Sequence, residues 1–254
     1  MNLPSPTSTP QPPVLSIVVP IYNEANTWRR TVECLRDAPL PGLRRQIILV
    51  DDASTDGTRQ QLQEFASHLP AAAPDEDIRV LFHDRNRGKG AALRTGFAAA
   101  TGELAVPQDA DLEYDPTDFP RLAEPILTGR ADAVYGSRFL DPANPRGRFM
   151  SYLANRFLTA LSNLFSGLRL TDMETCYKMV RRDVLQQMVL EQERFGFEPE
   201  ITARLAKLGA RVAEVAISYK PRTREEGKKI GFKDGLWAVW CIVRYSLPRR
   251  RPRP

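Results

Sequence analysis

Short apolar runs alternate with amphipathic segments through the first half of the chain. The runs predict strands at residues 15–19, 46–50, 78–82, 103–106 and 131–135. Between them, apolar residues recur at helical spacing, first at Trp28, Val32 and Leu35, and then within residues 62–69, 90–100 and 117–127. Repeated strand–helix units favour one mostly parallel, twisted α/β sheet with helices on both faces.

The pattern changes after residue 136. Residues 148–168 form a long amphipathic segment with several aromatic residues. Strands are then predicted at residues 174–180 and 211–219, and helices at residues 182–188, 198–208 and 231–246. We expect one domain at residues 14–247, between a flexible proline-rich leader at residues 1–13 and a basic tail at residues 248–254.

The composition narrows the class of protein. With 254 residues, 42% of them hydrophobic and 26% charged, the chain suffices for one core and is unlike a disordered or collagen-like chain. The three cysteines, Cys34, Cys176 and Cys241, are far apart and odd in number, which argues against a disulfide framework or a zinc site. The two histidines leave little material for a histidine-based triad or metal site.

The formal net charge of +5 is concentrated at one end of the chain. Four arginines lie in residues 248–254, so the folded part is nearly neutral. This distribution argues against a nucleic-acid partner and suits a chain end that touches an anionic membrane, although a tail that is merely solvated has the same composition. No apolar run approaches the ~18 residues of a spanning helix, and the start lacks secretory features, so we expect a cytoplasmic protein.

Polar side chains follow the predicted strands where each one ends. They are Tyr22, Asn23 and Glu24, with Pro20, after the first strand, Asp51 and Asp52 after the second, and Asp109 and Asp111 after the fourth. Open parallel sheets bind ligands outside these carboxyl ends, where carboxylates can accept hydrogen bonds from a base or ribose and Tyr22 can lie against a ring. The alternative is that the aspartates only cap the helices that follow.

The pair Asp109 and Asp111 carries a sharper signal. Side chains at i and i+2 of an extended chain point the same way, so the two carboxylates can share a hard divalent cation, Mg²⁺ or Mn²⁺, that bridges a diphosphate. Glu113 extends that face by one more step. An EF-hand loop is excluded, because its sixth and twelfth positions would be Tyr114 and Pro120. A solvated acidic turn remains the alternative.

Basic residues occur near several of the same strand ends. Residues 85–90, RNRGKG, match neither the Walker pattern nor G-x-G-x-x-G, yet a helix that starts at a glycine beside Lys89 is a competent anion site. Arg138 follows the fifth strand, and Arg222 and Lys229 lie in a basic loop after the last one. These groups can hold phosphates by charge-assisted hydrogen bonds, although each taken singly could be an ordinary surface charge.

Seven segments of the chain together resemble one family. They are VVPIYNEA, VDDASTDGT, NRGKGAAL, QDADLE, GSRF, TDMETCYK and YKPRTREEGKKIGFKDGL. On these segments the chain resembles the family 2 glycosyltransferases, and within them the branch of dolichyl-phosphate mannose synthases and polyprenyl-phosphate glucosyltransferases. The resemblance implies the Rossmann-like GT-A fold, a nucleotide-sugar donor, a divalent metal (Mg²⁺ or Mn²⁺) at the D-x-D residues, and inversion at the anomeric carbon.

The resemblance also implies roles for individual residues. Residues 14–140 would be the nucleotide-sugar-binding half and residues 141–247 the half that faces the acceptor and the membrane. The donor pocket would comprise Pro20, Tyr22, Glu24, Asp51, Asp52, Lys89, Asp109 and Ala110. The metal would lie at Asp109 and Asp111, with Glu113 where mannose synthases commonly have glutamine. The catalytic set would be Asp111, Arg138, Arg222 and Lys229, the basic residues holding the donor diphosphate and the acceptor phosphate.

The implied reaction transfers one hexose to a polyprenyl phosphate at the cytoplasmic face of a membrane. Mannose from GDP-mannose is favoured over glucose from UDP-glucose on branch resemblance. A phosphate acceptor is already an anion and needs no general base, whereas a lipid or saccharide hydroxyl would need one, for which Asp172 or Glu174 is expected. The Q-x-x-R-W motif of processive polysaccharide synthases is absent from the sequence, which argues against polymer synthesis.

Two segments could supply a surface that lies on the membrane. One is residues 148–168, and the other is the last helix, with Trp237, Trp240 and Tyr245 before the arginine-rich tail. Packing in the core would produce the same apolar stripes.

Two rival functions use a similar fold. A non-catalytic nucleotide-sugar binder is disfavoured because both aspartates of the D-x-D pair are present. A nucleotidyltransferase is disfavoured because no glycine-rich, lysine-containing loop follows the first strand.

Overall fold

Strands and helices alternate along the chain as the apolar pattern predicts. The computed structural model describes residues 11–70, 77–145, 149–221 and 232–247. The first half contains β1 (Val14–Ile21), α1 (Trp28–Asp37), β2 (Arg44–Asp51), α2 (Thr58–Ser67), β3 (Asp77–Phe82), α3 (Lys89–Ala99), β4 (Leu104–Pro107), a 3-10 turn (Pro116–Asp118), α4 (Phe119–Leu127) and β5 (Ala133–Ser137). The second half contains α5 (Phe149–Ser166), β6 (Lys178–Arg181), α6 (Arg182–Leu185), α7 (Phe197–Lys207), β7 (Val212–Ala216) and α8 (Phe232–Ser246). The predicted basic tail and most of the predicted leader lie outside the described residues.

The strands form one seven-stranded sheet in the order β3-β2-β1-β4-β6-β5-β7. β6 is antiparallel to both of its neighbours, and the other strand pairings are parallel. β1 lies between β2 and β4. Its residues 15–19 are all buried, because helices cover both faces of the sheet here. The predicted mostly parallel α/β sheet is confirmed.

Helices cover both faces of the sheet. One layer contains α1, α2 and α4, which bury Trp28, Leu62 and Phe119. The other contains α3, α5, α7 and α8, which bury Leu93, Leu158, Phe197 and Ile242. The division follows the alternation of strand side chains, because Ile17 and Val19 pack in the first layer and Val18 in the second.

Residues 174–177, which the pattern assigns to a strand, form a turn instead, and β6 begins at Lys178. The Thr175 hydroxyl donates to the Gly136 carbonyl (2.6 Å), and the Cys176 N–H donates to the Tyr114 hydroxyl (3.0 Å). These side-chain bonds hold residues 175 and 176 in place, and a backbone bond from the Gly136 N–H to the Tyr177 carbonyl (2.9 Å) leads into β6. The turn therefore lies beside the carboxyl end of β5.

Two other elements are shorter than predicted. The helix predicted at residues 182–188 ends at Leu185, and the last strand spans Val212–Ala216 rather than residues 211–219.

Within the part of the chain that the structure describes, no helix combines the length and apolarity needed to cross a bilayer.

Candidate active site

The loops after β1 and β2 are tied to each other at the carboxyl edge of the sheet, where the parallel strands end. The N–H groups of Asn23 and Glu24 donate to the hydroxyls of Ser54 (3.0 Å) and Thr58 (3.1 Å). Asn23 has φ +54°, a left-handed conformation that asparagine tolerates better than most residues. The linked loops leave Tyr22 37% exposed at the surface of this edge.

Asp51, the last residue of β2, is fully buried. One of its carboxylate oxygens accepts from the Ser54 N–H (3.2 Å), and the other accepts from Arg59 Nη1 (3.0 Å). The same Arg59 nitrogen donates to the His83 carbonyl (2.8 Å). Asp51 therefore connects the end of β2 to its own loop and to the end of β3.

Asp52 is buried and organises the loop that leads into α3. Its carboxylate accepts from the N–H groups of Arg87 (2.9 Å) and Gly88 (2.6 Å) and lies 2.7 Å from His83 Nδ1. Asp51 and Asp52 thus hold the loops of the predicted donor pocket in place. The first residue of α2 is held instead by Asp56, which accepts from the Thr58 N–H (3.1 Å).

Lys89 is the first residue of α3, and its ammonium group lies between two carboxylates. Its Nζ atom is 2.8 Å and 3.0 Å from the two Asp109 oxygens and 3.2 Å from Glu198 Oε1. Burial alone would lower the pKa of Lys89, but the charges of Asp109 and Glu198 outweigh it and hold that pKa well above the usual value. The group therefore stays cationic at the carboxyl edge of the sheet.

The segment that carries Asp109 and Asp111 turns instead of extending β4. The strand ends at Pro107, and Leu112 has φ +64°. Asp111 Oδ1 accepts from the Glu113 N–H (3.2 Å), within this turn. The predicted extended geometry is wrong, yet both carboxylates lie just beyond the end of β4 and are partly exposed.

Glu113 is engaged by the segment after β7. The Tyr219 hydroxyl donates to Glu113 Oε2 (2.7 Å), and the Lys220 N–H donates to the Glu113 carbonyl (2.9 Å). Among the described residues, no group of three or more His, Cys, Asp or Glu side chains is placed to hold a metal ion. Asp109 nevertheless already holds a cation, the Lys89 ammonium, with both of its oxygens. Hard carboxylate oxygens also suit Mg²⁺ and Mn²⁺, so the chemistry of Asp109 and Asp111 fits a divalent ion.

Arg138 follows β5 and forms a two-pronged ion pair with Asp172. Nε and Nη2 donate to the two Asp172 oxygens at 2.7 Å and 2.8 Å, and the Arg138 N–H donates to the same carboxylate at 3.0 Å. The guanidinium carbon lies 5.2 Å from the centre of the Tyr219 ring. Burial opposes the charge, but Asp172 outweighs burial and raises the pKa of Arg138. Arg138 is therefore a fixed cation at the carboxyl edge.

A second group of charged residues is buried near Lys89. Lys178 is fully buried, donates to the Thr175 carbonyl and lies 4.9 Å from the centre of the Tyr135 ring. Burial, and then the charge of Glu198, raise the pKa of Glu174 to about 7. Glu174 Oε1 and Glu198 Oε2 are buried and accept no hydrogen bond within the described residues.

The structure brings together part of the predicted site. Lys89 contacts Asp109, and Arg138 lies against Tyr219, which bonds to Glu113. Pro20 is on β1 opposite Val50, and Ala110 is buried in the turn between the two aspartates. Arg222 and Lys229 lie outside the described residues.

Sequence reasoning missed Glu198 and Tyr219. Neither residue belongs to a sequence motif that would indicate which residue it contacts. A signal for Glu198 was available, since it is an acidic residue at the start of a helix within the largely apolar segment FGFEPEI. A carboxylate in such a segment is rarely buried without a cationic partner.

Comparison with known proteins identifies the family. Residues 16–189 match the model of glycosyl transferase family 2. The undecaprenyl-phosphate mannosyltransferase of Micrococcus luteus is 32% identical over 244 residues, covering 92% of this chain and 94% of that protein. Glycosyltransferase AglD of Haloferax volcanii is also 32% identical, over 217 residues, but this chain spans only 33% of its length.

A solved structure shows the same fold. It is glucosyl-3-phosphoglycerate synthase from Mycobacterium tuberculosis, crystallised with Mn²⁺, uridine diphosphate and phosphoglyceric acid. The TM-score is 0.69 at 21% sequence identity, with 92% of this chain and 78% of that chain covered. The predicted GT-A-like architecture is confirmed. The family model matches residues 16–189, the similarity to the Micrococcus enzyme extends along almost the whole chain, and the fold agrees with both. The protein therefore belongs to glycosyltransferase family 2.

Proposed function

We propose that this glycosyltransferase moves one hexose from a nucleotide sugar to a polyprenyl phosphate, with GDP-mannose as the favoured donor and UDP-glucose as the alternative. The observation that carries the proposal is the similarity to the Micrococcus undecaprenyl-phosphate mannosyltransferase. It extends over both halves of the chain and therefore includes the half expected to meet the acceptor.

The donor would bind at the carboxyl edge of the sheet. Tyr22 and Glu24 would contact the nucleoside, within loops that Asp51 and Asp52 hold in place. Lys89 would face the diphosphate, because its ammonium group is already at this edge and is held cationic.

Asp109 and Asp111 would hold a divalent metal, which when bound supplies positive charge against the leaving diphosphate. Arg138 would align the phosphate groups through the N–H donors that Asp172 does not use. Arg222 and Lys229, outside the described residues, are proposed for the same task.

The geometry around Asp172 favours a phosphate acceptor over a hydroxyl. A hydroxyl acceptor needs a general base, and both Asp172 oxygens already accept charge-assisted bonds from Arg138. Glu174, whose pKa is raised to about 7 by burial and the charge of Glu198, remains the candidate base if the acceptor is a hydroxyl.

A membrane surface is the proposed location of the acceptor. The outer face of α5 exposes Phe149, Met150, Leu153, Phe157 and Leu164. The adjacent helix α8 exposes Leu236, Trp237 and Trp240, and the two tryptophan rings stack with their centres 4.6 Å apart. Single exposed apolar residues are common, but several on one helix face, with exposed tryptophans on a helix packed against it, are typical of a surface that lies in the lipid interface.

A donor and acceptor assay tests the proposed function. The purified protein is incubated with radiolabelled GDP-mannose or UDP-glucose, Mg²⁺ or Mn²⁺, and extracted polyprenyl phosphate. We expect a labelled lipid that mild acid cleaves, because a glycosyl phosphate is acid-labile and a glycoside of an alcohol is not. Label in an acid-stable product would identify a hydroxyl acceptor, and no transfer from either donor would contradict the proposal.

A further inference from the structure

We propose that Glu198 is a positioning residue that receives the Lys89 ammonium when a divalent cation binds Asp109. The inference rests on the proposed function in one respect, the metal at Asp109. It concerns the residues of this chain and does not depend on which sugar or acceptor is used.

Lys89 is already shared between the two carboxylates. Its ammonium nitrogen is 2.8 Å from Asp109 and 3.2 Å from Glu198. The three groups come from α3, from the turn after β4 and from the first turn of α7. A small rotation of the lysine side chain would therefore exchange one carboxylate for the other without moving any element of the fold.

Glu198 has an acceptor available for that exchange. Its side chain is 7% exposed, and its Oε2 atom is buried without a hydrogen-bond donor among the described residues. The other buried ammonium of the region, that of Lys178, is close enough for the charge of Glu198 to act on it, but its hydrogen bond goes to the Thr175 carbonyl. A buried acceptor without a donor is unfavourable, so the approach of Lys89 would gain a hydrogen bond that the present arrangement lacks.

A metal at Asp109 makes such an exchange necessary. Both Asp109 oxygens now contact the Lys89 ammonium, and a divalent cation on the same carboxylate would repel that ammonium at short range. Without Glu198, the lysine would either block the metal or be left partly buried without a counter-charge, which is strongly unfavourable. With Glu198, Lys89 gives up Asp109 and stays beside the site as a cation for the diphosphate.

Binding of Mn²⁺ alone to the full chain, followed by electron paramagnetic resonance of the free ion, tests the proposal. Glu198→Gln should weaken Mn²⁺ binding by roughly tenfold, the size expected for one charge-assisted hydrogen bond. Lys89→Met should tighten Mn²⁺ binding, because no ammonium competes for Asp109. In the Lys89→Met background, Glu198→Gln should have no further effect, since there is no lysine to receive.

Two controls separate this inference from the proposed function. Glu64→Gln makes the same change at an exposed residue of α2, away from Lys89, and should leave Mn²⁺ affinity unchanged. Asp109→Asn should lose Mn²⁺ binding. If it binds Mn²⁺ like the wild type, or if the wild type does not bind it, the metal assignment fails and this inference with it. If Asp109→Asn behaves as expected but Glu198→Gln has no effect, or weakens binding equally with and without Lys89, only this inference is overturned.

A crystal structure of the wild-type protein with Mn²⁺ gives a second test that does not depend on any variant folding. We expect Lys89 Nζ within hydrogen-bond distance of Glu198 and no longer in contact with Asp109. A lysine that still contacts Asp109 beside the bound ion would overturn the proposal.

Discussion

Arg138 and Asp172, 34 positions apart in the chain, are joined by two hydrogen bonds of 2.7 Å and 2.8 Å, one to each carboxylate oxygen. The carboxylate is fully buried, and the arginine side chain is only 12% exposed. A planar guanidinium paired with a carboxylate in this way is fixed in orientation as well as in charge. The pair therefore holds the cation proposed to contact phosphate in one position at the end of β5.

Replacing Asp172 with asparagine should destabilise the protein by about 3 to 5 kcal/mol, because it leaves a largely buried guanidinium without a counter-charge. Urea unfolding measures the loss, and Asp37→Asn at an exposed position of α1 is the control. Adding Arg138→Met to the variant should recover part of the stability. A change below about 0.5 kcal/mol on Asp172→Asn, the size typical of surface substitutions, would show that the pair contributes little to the fold.

The raised pKa of Glu174 makes stability depend on pH. Burial and the charge of Glu198 raise the pKa of Glu174 from 4.5 to about 7, so the folded protein binds this proton more tightly than the unfolded chain. The free energy of unfolding should therefore decrease as pH rises from about 4.5 to about 7 and stay level above that range, as far as this group contributes.

Glu174→Gln should remove that decrease. Relative to the wild type, the variant's free energy of unfolding should be greater at pH 8 than at pH 5. The difference should be at most roughly 3 kcal/mol for a pKa shift of this size. Urea unfolding at both pH values measures the difference. Glu64→Gln, at an exposed residue of α2, should show no such change, and equal behaviour of the two variants would contradict the prediction.

Gly90 lets α3 lie directly against the chain before α7. A Cβ atom at Gly90 would be 2.4 Å from the Gln192 carbonyl oxygen, and the Ala91 N–H donates to the Glu193 carbonyl (3.1 Å). Gly90→Ala should therefore cost about 1 to 3 kcal/mol of stability, and it should raise the KM for the donor because Lys89 moves with the helix.

Gly235→Ala is a matched control on α8, where a Cβ atom would meet nothing within 4 Å. This change should stabilise the protein by about 0.5 to 1 kcal/mol, the ordinary difference between glycine and alanine inside a helix. Thermal unfolding of the two variants measures both effects. A stable Gly90→Ala variant with an unchanged KM would show that α3 tolerates displacement from residues 192–194.

Asp111→Asn should reduce transfer by about 100-fold or more, because a metal ligand contributes several kcal/mol to stabilising the leaving charge. Its folded state should be intact, since the Asp111 side chain is only partly buried. Initial rates with added Mn²⁺ and circular dichroism measure the two properties. Transfer at the wild-type rate by this variant in the presence of a chelator would remove the metal assignment.

Phe157→Ser combined with Leu164→Ser should weaken binding to anionic lipid vesicles, because both side chains are exposed on the outer face of α5. Stability should change little for the same reason. Leu127→Ser, at an exposed position of α4 in the other helix layer, is the matched control for flotation with vesicles. Equal flotation of the two proteins would argue that α5 does not contact the membrane.

Truncation after Leu247 tests the basic tail. Loss of its four arginines should weaken vesicle binding at low salt more than it changes donor affinity, because attraction between exposed charges is screened by salt. Vesicle binding that is unchanged would leave the tail without a part in membrane association.

Much of the architecture could be predicted because periodicity is a local property. The run at residues 15–19 became the buried centre of β1, and the spacing of Trp28, Val32 and Leu35 marked the buried face of α1. The ends of the strands could also be predicted from the sequence, and they placed Asp109 and Arg138 at the carboxyl edge of the sheet. The turn at residues 174–177 was not, since it depends on bonds to Gly136 and Tyr114, which lie elsewhere in the chain.

The sequence by itself thus determined the layered α/β sheet, the family and the strand ends where ligand-binding side chains collect, because each of these follows from residues that are neighbours in the chain. Tertiary structure alone decided that β6 runs antiparallel between β4 and β5, that Asp172 orients Arg138, and that Glu198 shares Lys89 with Asp109. These contacts join residues from separate elements. Which distant charges meet is set by how the helices pack on the sheet, and no local pattern encodes it.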